Sequence, residues 1–394
     1  MENGDAWPGV GYIEATWHAD DPAASRRQRA LNRGTFRFAL PAVIGDLEPR
    51  VDPALAGEAD QVCADIRAFD AESASWGVPF ASVLLRTESA SSSQIENLTA
   101  GARAIALASL GGRTGANAVM IAANTDAMRA AIELADRISP NTIRAMHERL
   151  NGGDDPANAG RFRDQSVWVG GRSPVTATFV APPHHQVESA IDDLCEFARR
   201  TDLQPMVQAA VAHAQFETIH PFTDGNGRTG RALVSSILRH RGVSPRMTVP
   251  ISSGLLADTG EYFAALTAYR RGDLVPIVEA FVEASRRAME NANILRSDIN
   301  DLRDRILATA DRRTANLMKV ADLCSAEPAL TAEMVADLGV PVPSVYRILD
   351  RLAATGVLRV EKPIGGVRVW TVPGLLSALD RFAERAGRRT FSSG

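Results

Sequence analysis

The sequence predicts a mainly α-helical protein that also carries a small β-hairpin and, near its C-terminus, a helix-turn-helix followed by a wing. Three observations lead to this fold class. Apolar residues recur at helical spacing over long segments, Ala and Leu are abundant, and the β-type patterns are short and few. At 394 residues the chain is longer than one average domain, so we expect several compact units.

The composition is that of an ordinary soluble globular protein. Hydrophobic residues make up 45% of the chain and charged residues 23%, which excludes a disordered or fibrous protein. The formal net charge of -4 excludes a general nucleic-acid binder. Cys63, Cys195 and Cys324 lie far apart, so neither a disulfide framework nor a zinc site is expected. The sequence has no signal-peptide pattern and no apolar run of about 20 residues, so we expect a cytoplasmic location and no membrane partner.

Changes in pattern divide the chain into three regions: residues 1–115, 116–300 and 301–394. The first two regions contain most of the segments with helical periodicity. We predict helices at 52–69, 83–98, 125–138, 139–150, 187–200, 205–219, 261–271 and 274–299, with a helical linker at 298–313.

The middle region contains one clear β signal. Two runs rich in β-branched and aromatic residues, 166–170 and 175–180, are separated by a turn that contains Gly171 and Pro174. This pattern predicts a hairpin.

The last region has a different order of elements. A first helix is predicted, followed by short helices at 331–338 and 343–354 and strands at 357–361 and 367–372, which is the order of a winged helix-turn-helix. The second helix would present four side chains to a partner: Ser344, Tyr346, Arg347 and Arg351. DNA is one possible partner, although residues 311–394 hold only 12 basic against 9 acidic residues. A docking or dimerisation module, including a homodimer, is the alternative.

Residues 220–231, with the sequence HPFTDGNGRTGR, are the most informative segment of the chain. Three glycines follow one helical pattern and precede another, which predicts a tight loop leading into a helix that begins near Asn226 or Gly227. The first N–H groups of a helix have no partner within it, so this position suits a phosphate.

The side chains around this anion site suggest nucleotidyl transfer. His220 has the near-neutral pKa that suits a general base, and Asp224 can hold Mg²⁺ against phosphates. Arg228 and Arg231 are three residues apart on one helical face and can clamp outer phosphates. Phe222 is expected to turn inward and pin the loop.

The segment resembles the signature of the Fic family, HxFx(D/E)GNGRxxR, at every defined position. Residues 215–219 also resemble the residues that directly precede this signature in the family. The resemblance implies a Fic helical core that transfers AMP from ATP, with Mg²⁺, to a Ser, Thr or Tyr hydroxyl of a target protein or of itself. His220 would be the base, and the amides of Gly225, Asn226 and Gly227 would stabilise charge on the α-phosphate. Two alternatives stay open: transfer of another phosphate-linked group, and a DNA-binding regulator in which the Fic core senses nucleotide.

The resemblance also implies less specific contacts. Gln215 and Tyr262 would contact ATP, although a helical aromatic residue such as Tyr262 is more often part of a core. Arg270 stands where relatives have Asn near the nucleobase, which leaves the nucleotide preference open. His213 is interpreted as a core histidine. The hairpin would act as a flap that aligns a target peptide by strand pairing, through Val175, Thr176, Ala177, Thr178 and Phe179.

A second family pattern, (S/T)xxxE(G/N), occurs in the first region at Ser92, Glu96 and Asn97. The resemblance implies an inhibitory helix whose Glu96 pairs with Arg231 and so blocks productive binding of ATP. The predicted helix at 83–98 contains four serines between 89 and 93, which are unfavourable inside an exposed helix.

Overall fold

The computed structural model describes residues 6–18, 33–73, 80–133, 137–151 and 155–387. Over these ranges the protein is mainly helical, which confirms the predicted fold class, and its strands form small antiparallel sheets. None of the helices in these ranges combines the length and the apolarity that a membrane crossing needs. The chain forms two compact units, each built from three separate segments.

The helices, numbered in chain order, are α1 (Pro53–Ser73), α2 (Phe80–Ile95), α3 (Ala102–Ser109), α4 (Ala116–Glu133), α5 (Pro140–Asn151), α6 (Val187–Arg199), α7 (Pro205–Ile219), α8 (Asn226–His240), α9 (Ile251–Leu256), α10 (Thr259–Arg270), α11 (Val275–Leu307), α12 (Ala315–Ala326), α13 (Ala332–Asp337), α14 (Val342–Ala354) and α15 (Pro373–Gly387). The strands are β1 (Gly11–His18), β2 (Arg33–Leu40), β3 (Trp168–Val169), β4 (Phe179–Val180), β5 (Ala329–Thr331), β6 (Arg359–Val360) and β7 (Val369–Thr371).

The predicted helices are present, with differences at several ends. Helix α7 has the predicted bounds, and α8 begins at the predicted Asn226. Helix α4 begins earlier than the predicted 125–138 and ends at Glu133; residues 134–136 lie outside the described ranges, and residue 138 is not in an α-helix. Helix α11 continues without a break through the predicted linker as far as Leu307.

Six elements have no counterpart among the predicted ones: β1, β2, α3, α9, β5 and α15. Strand β1 exposes residues on both faces, so it lacks the alternation that marks a half-buried strand. Helices α3 and α9 are only 8 and 6 residues long, too short to show a helical period.

The predicted hairpin is present but shorter than expected. Strand β3 pairs with β4 over two residues only. The prediction of a strand is wrong at seven positions: Ser166, Val167, Gly170, Val175, Thr176, Ala177 and Thr178. The physical reason is the tight turn that follows β3. Gly170 and Gly171 both have positive φ, and Thr176 Oγ1 accepts backbone N–H bonds from Arg172 and Ser173.

The first unit consists of Met1–Cys63, Ala130–Arg241 and Gly260–Val282. Helix α7 lies at its centre and packs against α6 and α8, and every residue from 206 to 219 is buried. Gly230 allows α8 to approach α7 closely, since an added Cβ would lie 3.0 Å from a ring carbon of Phe216. The loop at residues 220–225 therefore joins two helices that are held rigidly together.

The N-terminal hairpin of the first unit lies beside the flap. Strands β1 and β2 are antiparallel, with Gly11 opposite Leu40 and His18 opposite Arg33. The Trp17 ring packs edge-to-face on Trp168 of β3, with ring centroids 5.8 Å apart. An aromatic contact thus joins this hairpin to the flap.

The second unit consists of Ala64–Arg129, Gly242–Thr259 and Glu283–Gly394. Its core brings together Leu84 of α2, Leu295 of α11, Leu349 of α14 and Trp370 of β7, all fully buried. The strands near the C-terminus form one sheet in the order β5-β7-β6. The helices and strands predicted at 331–338, 343–354, 357–361 and 367–372 are present here, with shorter strands.

The serines of α2 are compatible with a helix because they are buried and bonded. Ser89 Oγ donates to the carbonyl of Ile121, and Asn124 Nδ2 donates to Ser89 O and Ser93 Oγ at 3.2 and 3.0 Å. The buried Glu88 carboxylate accepts the backbone N–H of Ser252 at 2.9 Å and also its hydroxyl. Polar contacts within the second unit thus replace the apolar face that helical periodicity would require.

Candidate active site

The loop at residues 220–225 is held by two left-handed residues, one at each end. His220 ends α7 with φ 50° and ψ 62°, and its backbone N–H donates to Phe216 O at 2.8 Å. Gly225 begins α8 with φ 73°. In the described part of the chain, His220 and Asn97 are the non-glycine residues with positive φ. This uncommon conformation turns the chain sharply out of α7.

The predicted anion site lies at the beginning of α8. The first bond within the helix runs from the Thr229 N–H to Gly225 O at 3.0 Å, which leaves the N–H groups of Asn226, Gly227 and Arg228 for a ligand or water. The Asn226 side chain closes the loop, since its amide exchanges two bonds of 2.9 Å with the backbone of Phe222. The donors are therefore fixed in place before any ligand binds.

His220 lies in an environment that keeps its ring neutral. Burial, the main cause, and the nearby positive charges of Arg270 and Arg163 together lower the pKa of His220 to about 4. Its Nδ1 atom is 3.8 Å from a carboxylate oxygen of Glu217, and the side chain is 19% exposed. At neutral pH the imidazole therefore has a free lone pair and can accept a proton.

The Phe222 ring turns inward, as predicted, and stacks on His147, a residue that the sequence analysis does not single out. The two rings are parallel within 3° and their centroids are 3.7 Å apart. His147 Nδ1 accepts the backbone N–H of Gly160, so the neutral ring carries its proton on Nε2, 3.0 Å from the Asp224 carbonyl oxygen. Burial, the main cause, lowers the pKa of His147 to about 4.

Asn151 is a second loop contact without a sequence signal beyond its spacing of four from His147 on α5. Its Oδ1 accepts from Arg228 Nη2 at 3.0 Å, and its Nδ2 is 3.3 Å from the Asp224 carbonyl oxygen. Helix α5 therefore holds both the loop backbone and the guanidinium of Arg228. Arg228 and Arg231 are both buried, each with a relative exposure of 3%.

Asp224 is the exposed acid of the site. Its side chain is 82% exposed, and its carboxylate is 3.7 Å from Arg228 Nη2. No group of three or more His, Cys, Asp or Glu residues gathers into a metal site within the described ranges. A lone, accessible carboxylate of this kind fits Mg²⁺ only if phosphate oxygens and water supply most of the coordination shell.

Arg163 is a buried cation that binds several backbone carbonyls of the loop region, and no pattern in the sequence indicates it. Its guanidinium donates to the carbonyls of His220 at 2.8 Å, Gln165 at 2.9 Å and Pro182 at 2.7 Å, and to that of Ile219 at 3.3 Å. Its backbone N–H donates to Pro221 O at 2.9 Å. Burial lowers its pKa to about 10, so the group stays charged at neutral pH.

Two predicted nucleotide contacts have protein partners in the interior of the first unit. The Gln215 amide accepts from the Tyr269 hydroxyl at 2.8 Å and donates to Ala42 O at 2.7 Å. Tyr262 is 2% exposed, and its hydroxyl lies 2.7 Å from Nε2 of His213, the expected core histidine. This placement fits the core alternative for Tyr262, and contacts of either side chain with ATP stay predictions.

Arg270 connects the flap to the neighbourhood of His220. Its guanidinium carbon lies 3.7 Å from the ring centroid of Phe179 on β4, a cation–π contact. Its Nη2 is 3.5 Å from Glu217 O. The positive charge of Arg270 therefore lies between the second strand of the flap and the end of α7.

The predicted inhibitory residues lie at the C-terminal end of α2, in the second unit. The N–H of Leu98 donates to Ser93 O, and that of Asn97 to Gln94 O. Together with φ 61° at Asn97, these bonds form a Schellman motif that leaves Glu96 as the C-cap, exposed to solvent. The motif explains the G/N position of the pattern, since Gly and Asn tolerate the left-handed conformation best.

Comparison with known proteins agrees with this geometry. Residues 137–238 match the model of the Fic/DOC family. These residues, which include the loop at 220–225, are similar to a Fic domain. Protein adenylyltransferase fic-1 of Caenorhabditis elegans is 36% identical over 155 residues, which are 39% of this chain and 28% of the relative. Protein adenylyltransferase Fic of Nematostella vectensis is 28% identical over 162 residues, which are 40% of this chain and 35% of the relative.

The chain thus spans about a third of the length of these curated relatives. Among solved structures, a Fic family protein from Desulfovibrio desulfuricans superposes with a TM-score of 0.53 at 21% identity, over 82% of this chain and 98% of the other. This likeness extends the shared fold beyond the Fic domain.

Proposed function

We propose that this chain is a protein AMP transferase whose active centre is the Fic loop at residues 220–231. The observation that carries the proposal is the pairing of a neutral His220 at the end of α7 with the unsatisfied N–H groups at the start of α8. One end of the loop offers a base and the other an anion site. The names of the relatives, protein adenylyltransferases, support AMP as the transferred group.

In the proposed reaction, the hydroxyl oxygen of a Ser, Thr or Tyr residue attacks the α-phosphorus of ATP. One ring nitrogen of His220 takes the hydroxyl proton, the bond from the α-phosphorus to the bridging oxygen breaks, and pyrophosphate leaves. The N–H groups of Asn226, Gly227 and Arg228 stabilise the charge on the α-phosphate. Arg228 and Arg231 bind the outer phosphates.

Mg²⁺ belongs to this proposal, with Asp224 as its protein ligand. The exposed carboxylate beside the anion site supports this role, and the cation would neutralise charge on the leaving pyrophosphate when bound. The acceptor is a target protein, or the chain itself, docked along β4 of the flap.

Inhibition by Glu96 is the regulatory part of the proposal. Two features of the second unit support this role. A Schellman motif ends α2 and holds Glu96 at a defined C-cap position, and Ser89 and Ser93 make buried hydrogen bonds in the two preceding turns of the helix. A helix end fixed in this way can present one carboxylate reproducibly.

A second candidate function is nucleic-acid or protein binding by α14. Tyr346, Arg347 and Arg351 are exposed on this helix, Ser344 is half-buried, and the β6–β7 pair follows it as a wing would.

A homodimer through this module and a cytoplasmic location are also part of the proposal. The three cysteines support the latter, since all are buried free thiols.

The experiment is incubation with α-labelled ATP and Mg²⁺, using wild type, Glu96→Gly, His220→Ala and the double variant. We expect strong self-labelling of Glu96→Gly, weak labelling of wild type, and none in either variant that lacks His220. Labelling with γ-labelled ATP instead would point to phosphate transfer. Absence of label in all four proteins, together with a salt-sensitive shift of duplex DNA, would favour the regulator.

A further inference from the structure

Arg163 joins the backbone of the proposed base to both ends of the flap. Two of its carbonyl partners, Ile219 and His220, end α7 at the catalytic loop. The other two flank the flap, with Gln165 before β3 and Pro182 after β4. One side chain therefore binds the segment that carries the base and both segments that support the predicted docking strand.

The chemistry of these contacts requires arginine. All four partners are neutral carbonyl oxygens, and a guanidinium supplies several donors in one rigid plane, whereas a lysine ammonium is a flexible point donor. The residue is 4% exposed, so carbonyls that lose this partner would be left without water in its place. Two of the carbonyls belong to the C-terminal end of α7, where the helix dipole favours a cation.

From this geometry we propose that Arg163 is a positioning residue for the acceptor hydroxyl, setting the distance between a target segment docked on the flap and the ring of His220. The inference rests on the proposed function. It separates two duties of the site, because Arg163 binds the base and the flap, whereas its partners include no residue of the anion site at the start of α8.

The separation predicts a specific kinetic signature in the Glu96→Gly background. Arg163→Lys should lower the labelling rate at saturating ATP by at least about 10-fold, since small misplacements of reacting groups carry such penalties. The ATP concentration at half-maximal rate should stay within about two-fold, because the phosphate contacts are unchanged.

Charge and geometry can be told apart with a second variant. Arg163→Gln removes the positive charge as well as the rigid donor plane, and Arg163 is one of the cations that lower the pKa of His220. The acidic limb of the pH–rate profile should therefore move to higher pH in Arg163→Gln and stay in place in Arg163→Lys.

Arg241→Lys is the matched control. Arg241 lies at the C-terminal end of α8, far from the loop. It also donates to backbone carbonyls of the first unit, those of Thr201 and Leu203, both at 2.8 Å. A similar loss of thermal stability without the fall in saturated rate is expected there. An equal fall in rate in the two lysine variants, or a rise in half-saturating ATP for Arg163→Lys, would overturn the proposal.

A readout without catalysis separates this inference from the proposed function. Hydrogen exchange should accelerate in Arg163→Lys at residues 166–181 and at 220–222 together, and stay unchanged at the start of α8. If Glu96→Gly itself incorporates no label, the proposed function fails. The exchange result still decides whether Arg163 joins the flap to the loop, since independent behaviour of the two segments would refute it.

Discussion

The side chain of Asn151 fills the space beside Gly225 where a β-carbon would otherwise lie. A Cβ added to Gly225 would be 2.5 Å from Nδ2 of Asn151, and the backbone there has φ 73°. Glycine is thus required at this position on two separate grounds, a left-handed backbone and a close neighbour. The same Asn151 binds Arg228, so the neighbour cannot move without releasing the guanidinium.

Gly225→Ala is therefore expected to abolish AMP transfer and to lower the free energy of unfolding by about 1–3 kcal/mol. The measurements are labelling with ATP and urea denaturation. Gly242→Ala is the control, because Gly242 has φ 62° but no atom within 4 Å of the added Cβ. Equal destabilisation of the two variants would contradict a role for the Asn151 contact.

Substitution of His147 tests the bond to the Asp224 carbonyl. His147→Phe keeps a ring to stack on Phe222 and removes the closer donor to the Asp224 carbonyl, which is left with the longer contact of 3.3 Å to Asn151 Nδ2. The loss of one such hydrogen bond costs about 0.5–1.5 kcal/mol. We expect a labelling rate reduced by about 10-fold in the Glu96→Gly background, with a smaller loss for His147→Gln, which can still donate. If His147→Phe labels as fast as its Glu96→Gly parent, the bond from His147 to the Asp224 carbonyl is not needed for activity.

Three buried histidines make the first unit sensitive to acid. Burial lowers the pKa values of His147, His213 and His220 to about 4, 3 and 4, from an ordinary value of 6.5. As the pH falls from 6.5 towards 4, the unfolded chain binds protons that the folded chain does not. The free energy of unfolding should then decrease, at a rate that approaches about 4 kcal/mol per pH unit near pH 5.

Urea denaturation between pH 5 and 7 checks this expectation. His213→Gln should reduce the pH slope by about a third, because it removes one of three such groups. A slope in His213→Gln that does not differ from that of the wild type would contradict the assignment.

Asn97 tests how the inhibitory turn is held. Alanine in the left-handed conformation costs about 1–2 kcal/mol, whereas glycine adopts it freely. With Glu96 retained, Asn97→Ala should therefore raise self-labelling above that of wild type, and Asn97→Gly should not. If the alanine variant labels no more than wild type while Glu96→Gly labels strongly, the Schellman motif at the end of α2 is not needed for inhibition.

The motif and the long helices could be predicted because their signals are local. The bounds of α7 and the start of α8 follow from Pro205, from the absence of Gly and Pro at 206–219, and from the glycines that come after. His147, Asn151 and Arg163 could not be found in this way, because they act through backbone carbonyls and neighbours far along the chain. Such contacts leave no repeat or spacing in a single sequence.

The serine-rich end of α2 shows the converse. Ser89 and Ser93 lower helix propensity, yet Asn124 and Ile121 of α4 satisfy them in the interior. Tertiary partners override local preference there. The flap is shorter than predicted for a local reason. The Thr176 hydroxyl accepts bonds that close a turn, so residues whose side chains favour a strand lie in the turn instead.

The complete burial of α7 has a consequence for how the protein opens. A helix that is enclosed on all sides exchanges its amide hydrogens only when its whole cooperative unit unfolds, whereas a ladder of two residues per strand opens on its own. His220 is attached to the former, and the short ladder of the flap to the latter, while Arg163 holds both ends of the flap. If the proposed function holds, the turn of the flap can open to an acceptor segment while the ends of the flap and the base stay in place.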